Sequence, residues 1–194
     1  VKGFAIAGTY NKQIPVSVAI GDNQASFLGS VCDMENCVLV NIGTGSQISF
    51  LTDNPTDAKR MEIRPCYDNK YLCVGSSLCG GRAFALLEKF LRDTATFVTG
   101  NQISTVYPAI DDYLLDSPQA DNPLIVSTRF GGTRNNPEER GSISNIGLSN
   151  FTPQHLIWGV LGGIVEELQE MYKSAGPQTH KVLIGSGNGL RKNK

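Results

Sequence analysis

Pro15-Val-Ser-Val-Ala-Ile-Gly-Asp-Asn-Gln-Ala-Ser-Phe-Leu-Gly29 is the stretch that decides how this chain is read. Its first half is apolar and rich in β-branched residues, which predicts a strand over residues 16–20 that stops at Gly21. Asp22 follows at the predicted start of a helix running to about Val31. In an open α/β sheet, the carboxyl end of a strand is where ligands and chemistry gather. A helix N-terminus also favours the charged form of an acid, because unpaired N–H groups and the macrodipole point at it. Asp22 equally reads as an ordinary N-cap, a position Asp favours. The stretch alone leaves both readings open.

Outward from it, the apolar runs Cys37-Val-Leu-Val-Asn-Ile42 and Gln47 to Thr52 predict two strands joined by the tight turn Gly43-Thr-Gly-Ser46. Met61 to Tyr67 and Lys70 to Ser76 predict a hairpin turning at Asp68-Asn69, residues suited to turns. A helix is expected from Leu78 to Arg92, with Ala83, Phe84, Leu87, Phe90 and Leu91 on one face. Gly80 and Gly81 have no helical reason to stand at its start, so a close backbone approach is expected there. Residues 93–123 are less regular, apart from a short helix from Tyr107-Pro108 to Leu115. Leu124-Ile-Val-Ser127 reads as a buried-type strand, followed by the long polar loop Arg129 to Gly141. Thr152-Pro153 opens the strongest helix, which Gly176-Pro177 closes. Lys181 to Ile184 is a last strand running into Gly185-Ser-Gly-Asn-Gly189. The order of elements predicts an α/β domain with parallel and antiparallel strands mixed.

Seventeen basic and eighteen acidic residues are interspersed, giving a net charge of −1. That is not the footprint of a nucleic-acid binder. No run approaches the roughly 20 apolar residues of a membrane span, and the opening carries no basic-then-apolar signal pattern. The five cysteines contain no metal-type CxxC pair, and His155 and His180 lie far from them, which argues against zinc. Reduced thiols in a cytoplasmic protein are the expectation. Cys66 and Cys73, on facing hairpin strands, are the candidate pair for any disulfide. His155 and His180 are expected to be surface or internally satisfied groups. Val1 to Asn11 suggests no leading element, and the chain closes at Lys194 as a helix starts; a fragment of a larger protein is expected.

Three glycine-rich turns follow apolar strands, at 21–22, 43–46 and 185–189, and turns of this kind can cradle phosphates. There is no Gly-x-x-x-x-Gly-Lys-Ser/Thr phosphate loop. Leu190 stands where a dinucleotide fingerprint needs its third Gly or Ala. Neither histidine is near a nucleophile elbow.

Taken together, Gly21-Asp-Asn-Gln-Ala25, Asn41-Ile-Gly-Thr-Gly-Ser46, Gly80-Gly81, Phe130-Gly-Gly-Thr-Arg134 with Arg140-Gly141, and Leu183-Ile-Gly-Ser-Gly187 resemble, in that order, the FGGY carbohydrate kinases. Tyr71 to Gly81 and Ser104-Thr-Val-Tyr107 look most like the members that phosphorylate ketoses. The resemblance implies a ribonuclease H-like (actin-like ATPase) fold, a mixed sheet flanked by helices and truncated at both ends. Residues 1–194 would be the C-terminal, ATP-side domain of a two-domain sugar kinase without its N-terminal domain. It implies Asp22 as catalytic base, with Asn23 beside it at the sugar. Gly43, Thr44 and Gly45 would meet the ATP phosphates, and Gly185, Ser186, Gly187 and Asn188 the adenosine. Mg²⁺ would accompany ATP, and the isolated fragment would be inactive; the sequence leaves the oligomeric state open, a homodimer included. The pattern is broken at Thr133, where related kinases carry Glu, and at Gly159, where a small Ala or Ser is usual. A xylulose-type or other FGGY kinase, or a non-catalytic nucleotide- or sugar-binding domain, is the alternative.

Overall fold

The structure is a computed structural model that describes residues 6–53, 60–176 and 179–192. Pro177 and the end residues 1–5 and 193–194, named above in reading the last turn and the two termini, lie outside the described residues. The chain divides into two compact units. One takes Val1–Val40, Gln47–Gly75 and Met171–Gly185; the other takes Asn41–Ser46, Ser76–Glu170 and Ser186–Lys194.

The first unit opens with strands β1 (Ile6–Tyr10) and β2 (Ile14–Ser17), an antiparallel pair. Asn11 and Lys12 both take positive φ at the turn, and Gln13 N–H donates to the Tyr10 carbonyl at 3.2 Å. Two readings are corrected here. A leading strand exists, and the strand expected over 16–20 ends at Ser17. Among the described residues the hairpin supplies the only pairing of β2, and Val18 and Ile20 stay exposed, at 41% and 56%.

Helix α1 (Asp22–Ser30) follows, and Phe27 is its fully buried anchor. A five-stranded sheet has the order β5 (Glu62–Pro65), β6 (Tyr71–Ser77), β4 (Ser46–Thr52), β3 (Cys37–Ile42), β9 (Val182–Ser186). Strand alternation separates its two faces. Cys37, Leu39, Leu51, Leu72, Val74 and Ile184 pack with Phe27 and Val31 of the α1 segment. On the opposite parity, a Cβ on Gly75 would lie 2.8 Å from Met171 Sδ and 3.0 Å from Ile48 Cγ2, and Phe50 stacks edge-on against Tyr172 with centroids 5.2 Å apart. Those two residues come from the last turn of α4 (Pro153–Ser174).

The β5–β6 hairpin is antiparallel and turns through Asp68 and Asn69, both at positive φ. Its register sets Cys73 opposite Ile63, with Pro65 opposite Tyr71, so Cys66 does not face Cys73. All five cysteines are free, and the candidate disulfide does not form.

The second unit is mainly helical. α2 (Gly80–Thr99), α3 (Tyr107–Asp116) and α4 enclose Ala83, Phe84, Leu87, Ile110, Ile157, Val160 and Ile164, together with Leu124 and Val126. α2 runs seven residues beyond the expected Arg92, to the left-handed Gly100. Its last turns carry Phe97 and Val98 outward, 87% and 75% exposed, which breaks the amphipathic signal. β7 (Ile125–Ser127) pairs antiparallel with β8 (Ser142–Ser144), a strand the sequence did not announce. The pairing leaves Ile125 55% exposed, so β7 is half-buried and not buried on both faces. Thr152 caps α4, its Oγ1 accepting from His155 N–H at 3.3 Å, and a Cβ on Gly159 would stand 2.7 Å from the Leu124 carbonyl oxygen. The glycine that departs from the family pattern is therefore required by β7. Among the described residues, no helix is long and apolar enough to cross a membrane.

Candidate functional site

Gly43-Thr44-Gly45 joins β3 to β4, and Gly43 N–H donates to the Gly45 carbonyl at 2.9 Å. The first turn of α2 lies directly behind this loop. Gly81 N–H donates to the Gly43 carbonyl at 2.8 Å, and Arg82 N–H to the Thr44 carbonyl at 2.9 Å. A Cβ on Gly80 would stand 2.6 Å from Gly45 C and 2.7 Å from Ser46 N, and one on Gly81 would strike the Gly43 carbonyl oxygen. The close approach expected of this glycine pair is present, and glycine alone permits it.

The consequence falls on the other side of the loop. Among the described residues no peptide bond is cis. A planar trans unit turns its N–H opposite to its C=O. With the Gly43 and Thr44 carbonyls aimed at α2, the N–H groups of Thr44 and Gly45 aim away from it. Two successive donors on one outer surface make an anion-binding concavity of the nest type.

The last glycine turn arrives at the same strand end. Gly187 stands at φ +94°, which favours glycine. A Cβ there would strike the Ile42 carbonyl oxygen and lie 2.5 Å from Asn41 Oδ1; one on Gly189 would lie 2.6 Å from Ile42 Cγ2. Leu190 N–H closes the turn on the Gly187 carbonyl at 3.2 Å, and the five-residue α5 (Asn188–Lys192) begins. Gly43, Thr44, Gly45, Ser186, Gly187 and Asn188 thus belong to one unit, around the end of β3. Gly185, Asp22 and Asn23 belong to the other.

Asp22 is the first residue of α1 and exposed. The N-cap reading is corrected: Gly21 holds that position without a side-chain cap, and its carbonyl accepts Ala25 N–H at 2.9 Å. The Asp22 carboxylate accepts instead from its neighbour Asn23 N–H, at 2.8 Å. Asn23 Oδ1 accepts from Gln47 Nε2 at 3.4 Å, which ties the first turn of α1 to β4.

Both histidines are internally satisfied, as expected. His155 Nδ1 pairs with Thr152 Oγ1 at 2.7 Å, and His180 Nδ1 with the Tyr172 hydroxyl at 3.0 Å. In the polar loop, Thr133 Oγ1 accepts Asn136 N–H at 3.1 Å and lies 3.5 Å from Glu139 Oε2, the carboxylate that also binds Arg129.

Sequence reasoning missed Glu167. It is 7% exposed in the middle of α4, and Oε2 accepts from Ser77 Oγ at 2.7 Å and Thr128 Oγ1 at 3.4 Å. Arg129 Nε lies 3.9 Å from Oε1, while its other nitrogens bind Glu139 at 2.6 Å and Glu170 at 2.7 Å. Burial works against the guanidinium charge, but these carboxylates outweigh it and hold Arg129 above its ordinary pKa. Sequence separations of 90 and 39 residues hide the Glu167 bonds from any local pattern.

No family model matches the chain. Mouse sedoheptulokinase is 28% identical over 196 residues, which cover 94% of this chain and 40% of that protein. Among solved structures, xylulose kinase from Rhodospirillum rubrum superposes with a TM-score of 0.75 at 19% identity, covering 94% of this chain and 36% of that one. Plasmodium falciparum glycerol kinase with ADP gives 0.70 at 21% identity, covering 100% and 40%. The fold is that of the actin-like sugar kinases, a mixed sheet flanked by helices. By sequence the chain is similar to sedoheptulokinases of mouse and human, at 28% identity to each. It spans about two fifths of the length of these relatives.

Proposed function

We propose that this chain is the ATP-side, C-terminal domain of a two-domain kinase that transfers a phosphoryl group from Mg-ATP to a terminal hydroxyl of a ketose, sedoheptulose first. The observation that carries the reading is the α2-backed loop, whose outward Thr44 and Gly45 amides sit on the strand end that also receives the Gly187 turn. The kinship with sedoheptulokinases supplies the choice of sugar. In this reading Thr44 and Gly45 donate to ATP phosphate oxygens, and Ser186, Gly187 and Asn188 bound the adenosine, with Gly185 leading into them. The fit is one of backbone donors: an open peptide surface suits phosphate oxygens, which only accept. Among the described residues, no cluster of three or more His, Cys, Asp or Glu is placed to hold a metal. Mg²⁺ would enter with ATP and neutralise phosphate charge.

Asp22 would accept the proton of the attacking hydroxyl as the new P–O bond forms and the bond to the ADP oxygen breaks. Asn23, its Oδ1 engaged by Gln47, offers its amide N–H to a sugar oxygen. The chain alone is expected to turn over little or no sugar, because it spans only part of the length of its relatives. The test is Asp22→Asn in the full two-domain protein, assayed by ADP release across a panel of ketoses and aldoses. Loss of more than about 100-fold in kcat with folding intact is expected of a general base. Activity within tenfold of wild type would remove Asp22 from that role. Binding of ADP without turnover of any sugar would leave a non-catalytic domain.

A further inference from the structure

We infer that Glu167 is a positioning residue for the Gly43–Gly45 loop, acting through Ser77; the nucleotide part of this inference rests on the function proposed above. Five contacts connect them. Glu167 Oε2 accepts the Ser77 hydroxyl proton at 2.7 Å. Ser77 Oγ in turn accepts from Cys79 N–H at 3.3 Å, fixing the turn from which α2 starts. The Ser77 carbonyl oxygen is the surface on which Gly45 packs, 2.6 Å from where a Cβ would stand. Gly81 and Arg82, one and two residues inside that helix, hold the Gly43 and Thr44 carbonyls.

The hydroxyl makes the link directional. Ser77 has one proton, and while Glu167 takes it, the oxygen lone pairs stay turned toward Cys79. Without an acceptor at 167 the hydroxyl can rotate, and the α2 turn loses its tether. A buried carboxylate is a costly means of holding a structure together, since apolar residues of similar volume often do as well or better. What a satisfied polar network adds is one defined geometry. The same carboxylate also receives Thr128 and faces Arg129, so the start of the Arg129–Gly141 loop is anchored to the same point.

The test compares Glu167→Ala, Glu167→Gln, Ser77→Ala and the Glu167→Ala/Ser77→Ala double variant in this chain, each first checked for cooperative unfolding in urea. Two quantities are read: amide hydrogen exchange at residues 44–46 and 79–82 without ligand, and calorimetric affinity for ADP against adenosine. Both alanine variants should exchange about 3- to 30-fold faster in those two segments, the range that coupled network residues show. The double variant should be no faster than the worse single one, as expected of residues acting in series. ADP affinity should fall by a similar factor while adenosine affinity stays within about twofold, a split that loss of global stability would not produce. Glu167→Gln keeps an acceptor for Ser77 and should stay near wild type. Unchanged exchange at 44–46, or acceleration spread over the whole chain, overturns the inference, as does equal weakening of ADP and adenosine. If Glu167→Ala does not fold, Ser77→Ala decides. If the wild-type chain binds neither ligand, the nucleotide reading falls and the exchange data alone judge Glu167.

Discussion

Replacing Gly80 by Ala tests the packing on which the candidate site depends. Away from a close contact, Ala in a helix is more favourable than Gly by about 1 kcal/mol, and somewhat less in a first turn. At Gly80 the new Cβ would stand 2.6 Å from Gly45 C and 2.7 Å from Ser46 N, where ordinary contact begins near 3.4 Å. The obstacles are backbone atoms, so the loop must retreat by about 0.8 Å or the helix must back away. Overpacking of this kind costs about 1–3 kcal/mol. After the propensity gain, a net loss of about 1–2 kcal/mol is expected, which lowers a urea midpoint by about 0.5–1 M at an m-value near 2 kcal/mol/M. Gly162→Ala is the control. It lies exposed in α4 with nothing within 4 Å of the new Cβ, and should stabilise the chain by about 1 kcal/mol. The loop shift should also cost ADP more than tenfold in affinity, since a displacement near 1 Å suffices to spoil a preorganised site. A Gly80→Ala chain as stable as wild type, with ADP affinity intact, would refute the close-approach argument. Equal losses at Gly80 and Gly162 would refute it too, by showing that position is irrelevant.

Two further perturbations probe stability. Glu88, 6% exposed, receives Val106 N–H at 3.0 Å, the Thr105 hydroxyl at 3.1 Å and Arg92 Nε at 3.4 Å, where α3 is about to begin. Burial pushes its pKa up, but these bonds prevail and leave it below the usual glutamate value. Its contribution is therefore present above about pH 4.5 and lost as pH falls through the lower folded value; Glu88→Ala should cost about 2–4 kcal/mol in urea unfolding at pH 7 and flatten that acid limb. His180 behaves in the same sense by a different route: burial against Phe50 and Tyr172 holds its pKa below the ordinary 6.5. The unfolded chain then binds the extra proton, so stability should fall as pH drops below about 6.5. His180→Phe should remove that part of the slope in unfolding curves between pH 5 and 8; an unchanged slope would exonerate the histidine.

Most of the sheet was legible because its strands obey simple rules. Cys37–Ile42 is a continuous apolar run buried at its first three residues, and Asp68-Asn69 brought its turn chemistry with it. Gly80-Gly81 was legible as an anomaly, two poor helix formers at a helix start, and its meaning proved to be contact. The failures have physical causes. Among the described residues β1 and β8 pair with one neighbour each, so neither needed the alternation that marks a half-buried strand. The end of α2 turns apolar residues outward, which erases the amphipathic period. Asp22 looked like an N-cap because that residue type favours the position, but Gly21 takes the extended φ/ψ of the cap and pushes Asp22 into the first turn. Glu167 was invisible because its partners arrive from the end of β6 and from the residue after β7, brought together only by the fold.

The arrangement at α2 also differs from a simple helix-terminus site in a way that bears on its chemistry. A helix usually offers its first N–H groups directly to an anion. Here Gly81 and Arg82 spend theirs on the Gly43 and Thr44 carbonyls. Each such bond polarises the peptide unit it touches, so Gly81 makes Thr44 N–H a stronger donor, and Arg82 does the same for Gly45 N–H. The positive end of the helix is relayed through one layer of peptide to the outer face of the loop. For the proposed phosphate site, what this would add over a bare terminus is rigidity, because two donors aimed in advance would need no reorganisation on binding. It also predicts which glycines are indispensable. A Cβ on Gly43 would find only the Gly45 carbonyl oxygen, at 3.9 Å, whereas Gly80 and Gly81 have backbone pressed against them. The glycines that the candidate site most requires are therefore those behind the loop, and the one that opens it is the more replaceable.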